Sequence, residues 1–262
     1  MELDLAPGVV GQAEYWPGGA NMPAVLIMHG FLQTRDFPTV SRLAEALADE
    51  GFSVLLPTLS LGLNRRQQSL ACEAVHTHSM PQDVAELRAW SEWLIERTGK
   101  APVLIGHSVG GVQLAALLDG NPDLRIGRVA LISLSYFGDE QGPEQLADLR
   151  ARARADLQRD PQAMHSYALS YCRQYTTTAA DLLSYLDWDK ERLRHALLSA
   201  SRPVSVIYGD KDERIDKAWL DALGSRGVDV RPVAGANHFF DLAHEFDLLD
   251  EILRVTTGGK HG

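Results

Sequence analysis

Pro102-Val103-Leu104-Ile105-Gly106-His107-Ser108-Val109-Gly110-Gly111-Val112 is the stretch from which the fold can be read. A short apolar run, too short for a helix, leads into a serine flanked at two residues' distance by glycines. An apolar stripe at helical spacing follows, Val112, Ala115 and Leu118. The run reads as a strand buried on both faces, and the stripe as a helix stopped by Gly120-Asn121-Pro122. The turn between them must be sharp, so Ser108 is expected in a strained backbone conformation. Side chains at Gly106 and Gly110 would collide with the neighbouring strand and helix. The pattern G-x-S-x-G arises by chance about 0.1 times in a chain of this composition; the strand before it and the helix after it give it weight. The helix start then points free N–H groups at Ser108, where they can stabilise negative charge.

Outward from this stretch the same alternation repeats. Apolar runs lie at Ala24 to Met28, Phe52 to Leu56, Val129 to Leu134, Val204 to Tyr208 and, more weakly, Val228 to Val233. Val9 to Trp16 adds an antiparallel edge. Between the runs fall helical stripes. Val40, Leu43 and Leu47 are closed by Gly51; Val84, Leu87, Trp90 and Leu94 have Pro81 in the first turn and Gly99 after the end. A last helix, capped by Asp241, runs through Phe246, Leu249 and Leu253. Alternation of this kind implies right-handed crossovers and a mostly parallel central sheet with helices on both faces. Two segments break it. Residues 58–80 show no clean period. Residues 138–201 are long, polar and helical in pattern, with no strand; their stripes are Leu146, Leu149 and Leu157, then Met164, Tyr167, Tyr171 and Tyr175. The expected organisation is a core of residues 1–137 and 202–262 with a helical cap at 138–201.

Composition narrows the function. The chain has 262 residues and a formal charge of -10, with no strongly basic block, which argues against a nucleic-acid partner. No apolar run approaches the roughly 20 residues needed to span a bilayer, and the first residues lack the pattern of a signal peptide. The two cysteines, Cys72 and Cys172, exclude a disulfide scaffold and read as reduced thiols in a cytosolic protein. Cys72, Glu73, His76 and His78 offer metal-ligand chemistry, but their spacing fits no strong zinc signature. That segment reads as a polar loop at the site mouth, and no metal or cofactor is expected. Arg65 and Arg66 read as a solvated surface pair. The oligomeric state is not encoded in any pattern here.

A serine hydroxyl needs a base, and the base needs an orienting carboxylate. Of nine histidines, His238 in Gly235-Ala236-Asn237-His238-Phe239-Phe240 has the right context, between the last strand and the last helix. The acid is Asp212 in Tyr208-Gly209-Asp210-Lys211-Asp212, with Asp210 its competitor; Asp216 fits a helix start. His29 shapes a turn, His107 points away from the elbow, and His244 lies on the last helix at the surface. The order Ser, Asp, His places all three at the C-terminal ends of strands, where open sheets build their sites.

With these residues in view the chain resembles the α/β-hydrolase-fold serine hydrolases. The matching landmarks are His29-Gly30-Phe31, the turn around Ser108, the G-D-K-D around Asp212 and the G-A-N-H-F-F around His238, spanning positions 29 to 240. The resemblance implies an oxyanion hole made by the N–H groups of Phe31 and Val109, and a helical cap where residues 138–201 lie. It implies hydrolysis of a small-molecule ester or thioester through an acyl-enzyme. The chain departs from common members in lacking an Asp-x-Arg-Gly-x-Gly turn after Pro57 and an H-G-G-G oxyanion loop. Serine at the elbow argues against the dehalogenase and epoxide hydrolase branches. Two alternatives stay open: the same triad used for amide, C–C bond or perhydrolase chemistry, and a non-catalytic protein that keeps the fold to bind a ligand.

Overall fold

Strands that are apolar at every position can bury both faces, and the central sheet does so. The structure is a computed structural model that describes residues 1–139, 141–241 and 243–257. In chain order its elements are β1 (Glu2–Ala6), β2 (Val9–Trp16), β3 (Ala24–Met28), α1 (Pro38–Asp49), β4 (Ser53–Thr58), α2 (Met80–Thr98), β5 (Val103–His107), α3 (Val109–Gly120), β6 (Arg128–Ile132) and α4 (Pro143–Arg159). They continue with β7 (Met164–Leu169), β8 (Cys172–Thr178), α5 (Ala179–Leu186), α6 (Lys190–Ser199), β9 (Val204–Gly209), α7 (Lys217–Gly224), β10 (Asp229–Val233) and α8 (His244–Thr257).

Eight strands form one sheet in the order β1-β2-β4-β3-β5-β6-β9-β10. β1 with β2 and β2 with β4 pair antiparallel; every later pairing is parallel. Period-two alternation divides the core into two layers. Leu26, Met28, Leu55, Leu104, Leu131 and Val206 face α2 and α3. Val25, Ile27, Val54, Leu56, Ile105, Ile132 and Ile207 face α1 and α8. Helices therefore cover both faces, and β5 lies among the buried central strands, so the turn that follows it is rigidly based. Gly99 ends α2 in the left-handed region, at φ 70°, as its position after the stripe suggests.

Five expectations need correction. Val9–Trp16 is antiparallel but not the edge, because Glu2–Ala6 pairs outside it. α8 begins at His244, and the Asp241 carboxylate accepts from the Asn237 side chain instead of capping the helix. Its buried stripe is Leu248, Ile252 and Val255, which leaves Phe246 exposed.

The segment between β6 and β9 is not purely helical. Met164, Tyr167, Tyr171 and Tyr175 lie on a hairpin, β7 against β8, with Tyr167 opposite Tyr175. Tyr167 and Tyr175 share a face as cross-strand partners and Tyr171 sits in the turn between them, which leaves the same four-residue spacing as a helical stripe. The Thr176-Thr177-Thr178 run favours the strand. The two cysteines, expected as reduced thiols, are joined as a Cys72–Cys172 disulfide across a separation of 100 residues, with Cα atoms 5.2 Å apart. The cytosolic setting inferred from them loses that support, since disulfides persist in oxidising compartments. Among the described residues no helix is long and apolar enough to cross a membrane.

Candidate active site

The site is assembled at the C-terminal ends of β5, β9 and β10. Ser108 occupies the residue between β5 and α3 at φ 55° and ψ -130°, a conformation that a side chain rarely adopts. Two features hold it there. Its N–H donates to the Ile132 carbonyl at 2.8 Å. The glycines around it permit the packing: a Cβ at Gly110 would lie 2.4 Å from the His29 carbonyl, and one at Gly106 would lie 2.8 Å from the Gly111 nitrogen.

His238 approaches from the loop after β10. Its Nε2 lies 3.1 Å from the Ser108 hydroxyl, and its Nδ1 lies 2.8 Å from Asp212 Oδ2. The carboxylate can only accept, so Nδ1 carries the hydrogen and Nε2 is left to accept from the serine. Asp212 is 1% exposed, in the turn after β9, and His238 is 5% exposed. Burial pushes the Asp212 carboxyl up. The hydrogen bond and charge of His238 and the Arg214 N–H outweigh this and hold it below its ordinary value. Asp210, the competing acid, turns away and accepts from the Gly235 N–H. Asp216 caps α7 through the Trp219 N–H.

Two further histidines frame the site in neutral form. His29 Nε2 accepts from the Leu59 N–H, so its Nδ1–H donates to the Gly30 carbonyl at 2.8 Å. Burial, helped by the Arg66 charge, pulls its pKa down to about 3. His107 donates to the His238 carbonyl at 2.9 Å and stacks on Phe37; burial, and next the neighbouring His238, pull it down to about 3. It supports the histidine loop from beneath. His244 is a surface residue paired with Asp247.

The Gly30–Phe31 turn lies directly against the elbow, and a Cβ at Gly30 would sit 3.5 Å from the Ser108 Cβ. Among the described residues, the backbone N–H groups of Phe31 and Val109 donate to no protein group. Phe31 packs its ring against Phe137, Tyr171 and Tyr175.

The cysteine and histidine cluster is used differently from a metal centre. Cys72 is spent in the disulfide, and His76 lies flat on the Tyr175 ring at 3.9 Å between centroids. His78 is bonded between the Tyr185 and Tyr175 hydroxyls, and the Tyr185 hydroxyl donates to Asp83, which also accepts from Gln113. Burial and the Asp83 charge drive the Tyr185 phenol well above its ordinary range, so it stays a donor. This network ties the hairpin and α5 to α2 and α3. No group of three or more metal-binding side chains occurs among the described residues.

Arg65 is a surface residue paired with Glu2, as expected of the pair, but Arg66 is 5% exposed and is not part of a solvated face. Its guanidinium donates to four backbone carbonyls. Nothing in the irregular sequence around Arg66 signals this, because two of its partners, Leu32 and Gln33, lie in a turn more than thirty residues earlier. Tyr171, one of the aromatic residues of the 138–201 segment, donates its hydroxyl hydrogen to the Phe31 carbonyl at 3.1 Å.

Comparison with known proteins agrees with this architecture. A family model described as the Alpha/beta hydrolase family matches residues 24–250. Among solved structures, Est1E from Butyrivibrio proteoclasticus with ferulic acid bound superposes with a TM-score of 0.70 at 16% identity, covering 98% of this chain and 99% of that one. The monoacylglycerol lipase of Paleococcus ferrophilus gives 0.67 at 17% identity, covering 95% and 99%. The thioesterase domain from the curacin biosynthetic pathway gives 0.61 at 18%, covering 97% and 98%. At these identities the likeness is one of fold. No curated protein matches the chain in sequence.

Proposed function

The chain belongs to the alpha/beta hydrolase family, and we propose that it is a serine hydrolase acting on a small-molecule ester or thioester. The observation that carries this reading is the continuous line of bonds from Asp212 through His238 to Ser108, with two unbonded N–H groups beside the serine.

In this reading Ser108 Oγ attacks the acyl carbon while His238 Nε2 takes its proton. The C=O π pair moves onto oxygen, and that oxyanion is held by the N–H groups of Phe31 and Val109. Collapse of the tetrahedral species expels the alcohol or thiol, which receives the proton from His238, and leaves an acyl-enzyme. Water then gives its proton to His238 and attacks the acyl carbon, and Ser108 departs with the proton returned. Asp212 keeps Nδ1 protonated and stabilises the imidazolium. No step requires a cofactor.

Residues 138–201 act in this reading as a cap over the acyl site, with the hairpin tip at Tyr171 nearest the serine. The Tyr171 hydrogen bond to Phe31 supports that placement. Substitutions at the hairpin tip then shift preference among acyl chain lengths while leaving labelling of Ser108 intact. The function itself is tested by a panel of ester, thioester and amide substrates with Ser108→Ala as control. Turnover of an ester or thioester that disappears in the variant is expected. Turnover of amides alone, or turnover that persists in the variant, contradicts it.

A further inference from the structure

The turn that carries the Phe31 N–H is not in a restful conformation. Leu32 has φ 57°, a left-handed backbone that a branched side chain rarely adopts. Something must hold it, and the carbonyls of the turn show what does. Gly30 O accepts from His29 Nδ1 and from the Gln33 N–H. Phe31 O accepts from the Tyr171 hydroxyl. Leu32 O accepts from the Leu70 N–H at 3.0 Å and from Arg66 Nη1 at 3.3 Å. Gln33 O accepts from Arg66 Nη2 at 2.6 Å. All four successive carbonyls are thus pinned, while the Phe31 N–H is free.

Arg66 is the anchor of this arrangement. Its Nε and Nη1 also donate to Leu59 O at 2.6 Å and Gln68 O at 2.8 Å, so one planar fork ties the turn to the chain after β4. Among the described residues no carboxylate lies within ion-pair distance of it. Burying a guanidinium against neutral carbonyls is costly, and an apolar side chain would fill the same space more cheaply. What an apolar side chain cannot do is fix several carbonyls in one plane. The positive charge also reaches the turn, since Arg66 helps to depress His29.

We propose that Arg66 and Tyr171 are positioning residues that aim the Phe31 N–H at the oxyanion formed on the Ser108 adduct. The inference rests on the serine hydrolase reading above. A preorganised donor matters because it stabilises charge only where the transition state develops it. The clamp acts on kcat and leaves ground-state binding alone.

The test compares wild type, Arg66→Lys, Tyr171→Phe and Ser108→Ala on one short aryl ester and one trifluoromethyl ketone, whose hemiketal oxygen occupies the oxyanion position. Arg66→Lys keeps the charge and loses the fork. It is expected to lower kcat by about 30-fold with KM within twofold, and to weaken the ketone by a similar factor. Guanidinium ion added to Arg66→Ala is expected to restore part of the lost kcat. Tyr171→Phe removes one hydroxyl from a side chain 43% exposed, so it folds regardless, and it is expected to cost about fivefold in kcat with the same weakening of the ketone. A lowered melting temperature with kcat and ketone affinity unchanged would overturn the proposal and leave Arg66 a structural residue. If Ser108→Ala still turns over the ester, the serine reading fails whatever Arg66 does. If Ser108→Ala is dead while Arg66→Lys runs at full rate, only the positioning inference fails.

Discussion

The two walls of the site are held by different means. On the elbow side, Ser108 is fixed by backbone: a buried strand, a helix start, the bond to Ile132 and two glycines that let strand, turn and helix touch. On the opposite side lie the irregular segment 59–79 and the β7–β8 hairpin, which stands apart from the central sheet. They are held by side chains acting over long separations: the Arg66 fork, the Tyr185–His78–Tyr175 chain and the Cys72–Cys172 bond. One site thus combines a wall that any sequence of the right period would build with a wall that depends on a few chosen pairs. Damage to the first should abolish chemistry, and damage to the second should loosen it.

The largest effect expected within the elbow group comes from its proposed acid. Asp212→Asn preserves shape but offers His238 a group that no longer fixes its tautomer, and kcat is expected to fall by about 10⁴-fold. Asp210→Asn, whose carboxylate serves only the Gly235 N–H, is expected to stay within about threefold of wild type. Steady-state kinetics on the two variants decides the matter, and the reverse ranking would remove Asp212 from the site.

A smaller effect is expected on the other wall. Reducing the Cys72–Cys172 bond frees a loop of 100 residues, and stability is expected to drop by about 3 kcal/mol with activity at low temperature largely kept. Thermal melts with and without reductant, together with thiol titration of the native protein, check this. Two free thiols in the untreated native protein would contradict the disulfide.

The smallest effect sets the two walls against each other through pH. His29 and His107, at the elbow, are pulled down to about 3 from an ordinary 6.5. Below pH 6.5 the unfolded chain therefore binds more protons than the fold, and stability is lost as pH falls. Glu86, which accepts from Ser60 and Trp90 on the other wall, is pushed up by burial to about 7 from 4.5. The fold retains its proton where the unfolded chain has released it, so this group favours the fold as pH falls below 7. With His76, which burial pulls down to about 4, three histidines outweigh one glutamate. The melting temperature is expected to decrease by about 4 °C between pH 6.5 and 5.5. In Glu86→Gln, which removes the opposing group, the fall is expected to be steeper. A melting temperature that rises over this interval in wild type would reverse the assignment of the neutral histidines.

The same division explains what could be read in the sequence. The strands, α1 to α3 and the residues flanking Ser108 announce themselves because periodicity and glycine placement are local constraints. Asp212 and His238 could be chosen because each follows a recognisable strand. β1 was also within reach: Leu3 and Leu5 alternate with Glu2 and Asp4, as a half-buried strand requires, but the run is short. The hairpin is hidden because Tyr167, Tyr171 and Tyr175 fall at helical spacing although the chain reverses at Tyr171. Arg66 reads as a surface residue because an arginine in an irregular segment usually is one, and its burial depends in part on carbonyls supplied by a distant turn. The disulfide joins positions whose proximity only the packed hairpin creates.

The proposed nucleophile, Ser108, can be probed by intact mass after reaction with a fluorophosphonate. A single adduct is expected in the wild-type protein, mapped to the peptide containing Ser108 and absent from Ser108→Ala, whose fold is unchanged by circular dichroism. An adduct of the same stoichiometry in Ser108→Ala would contradict it.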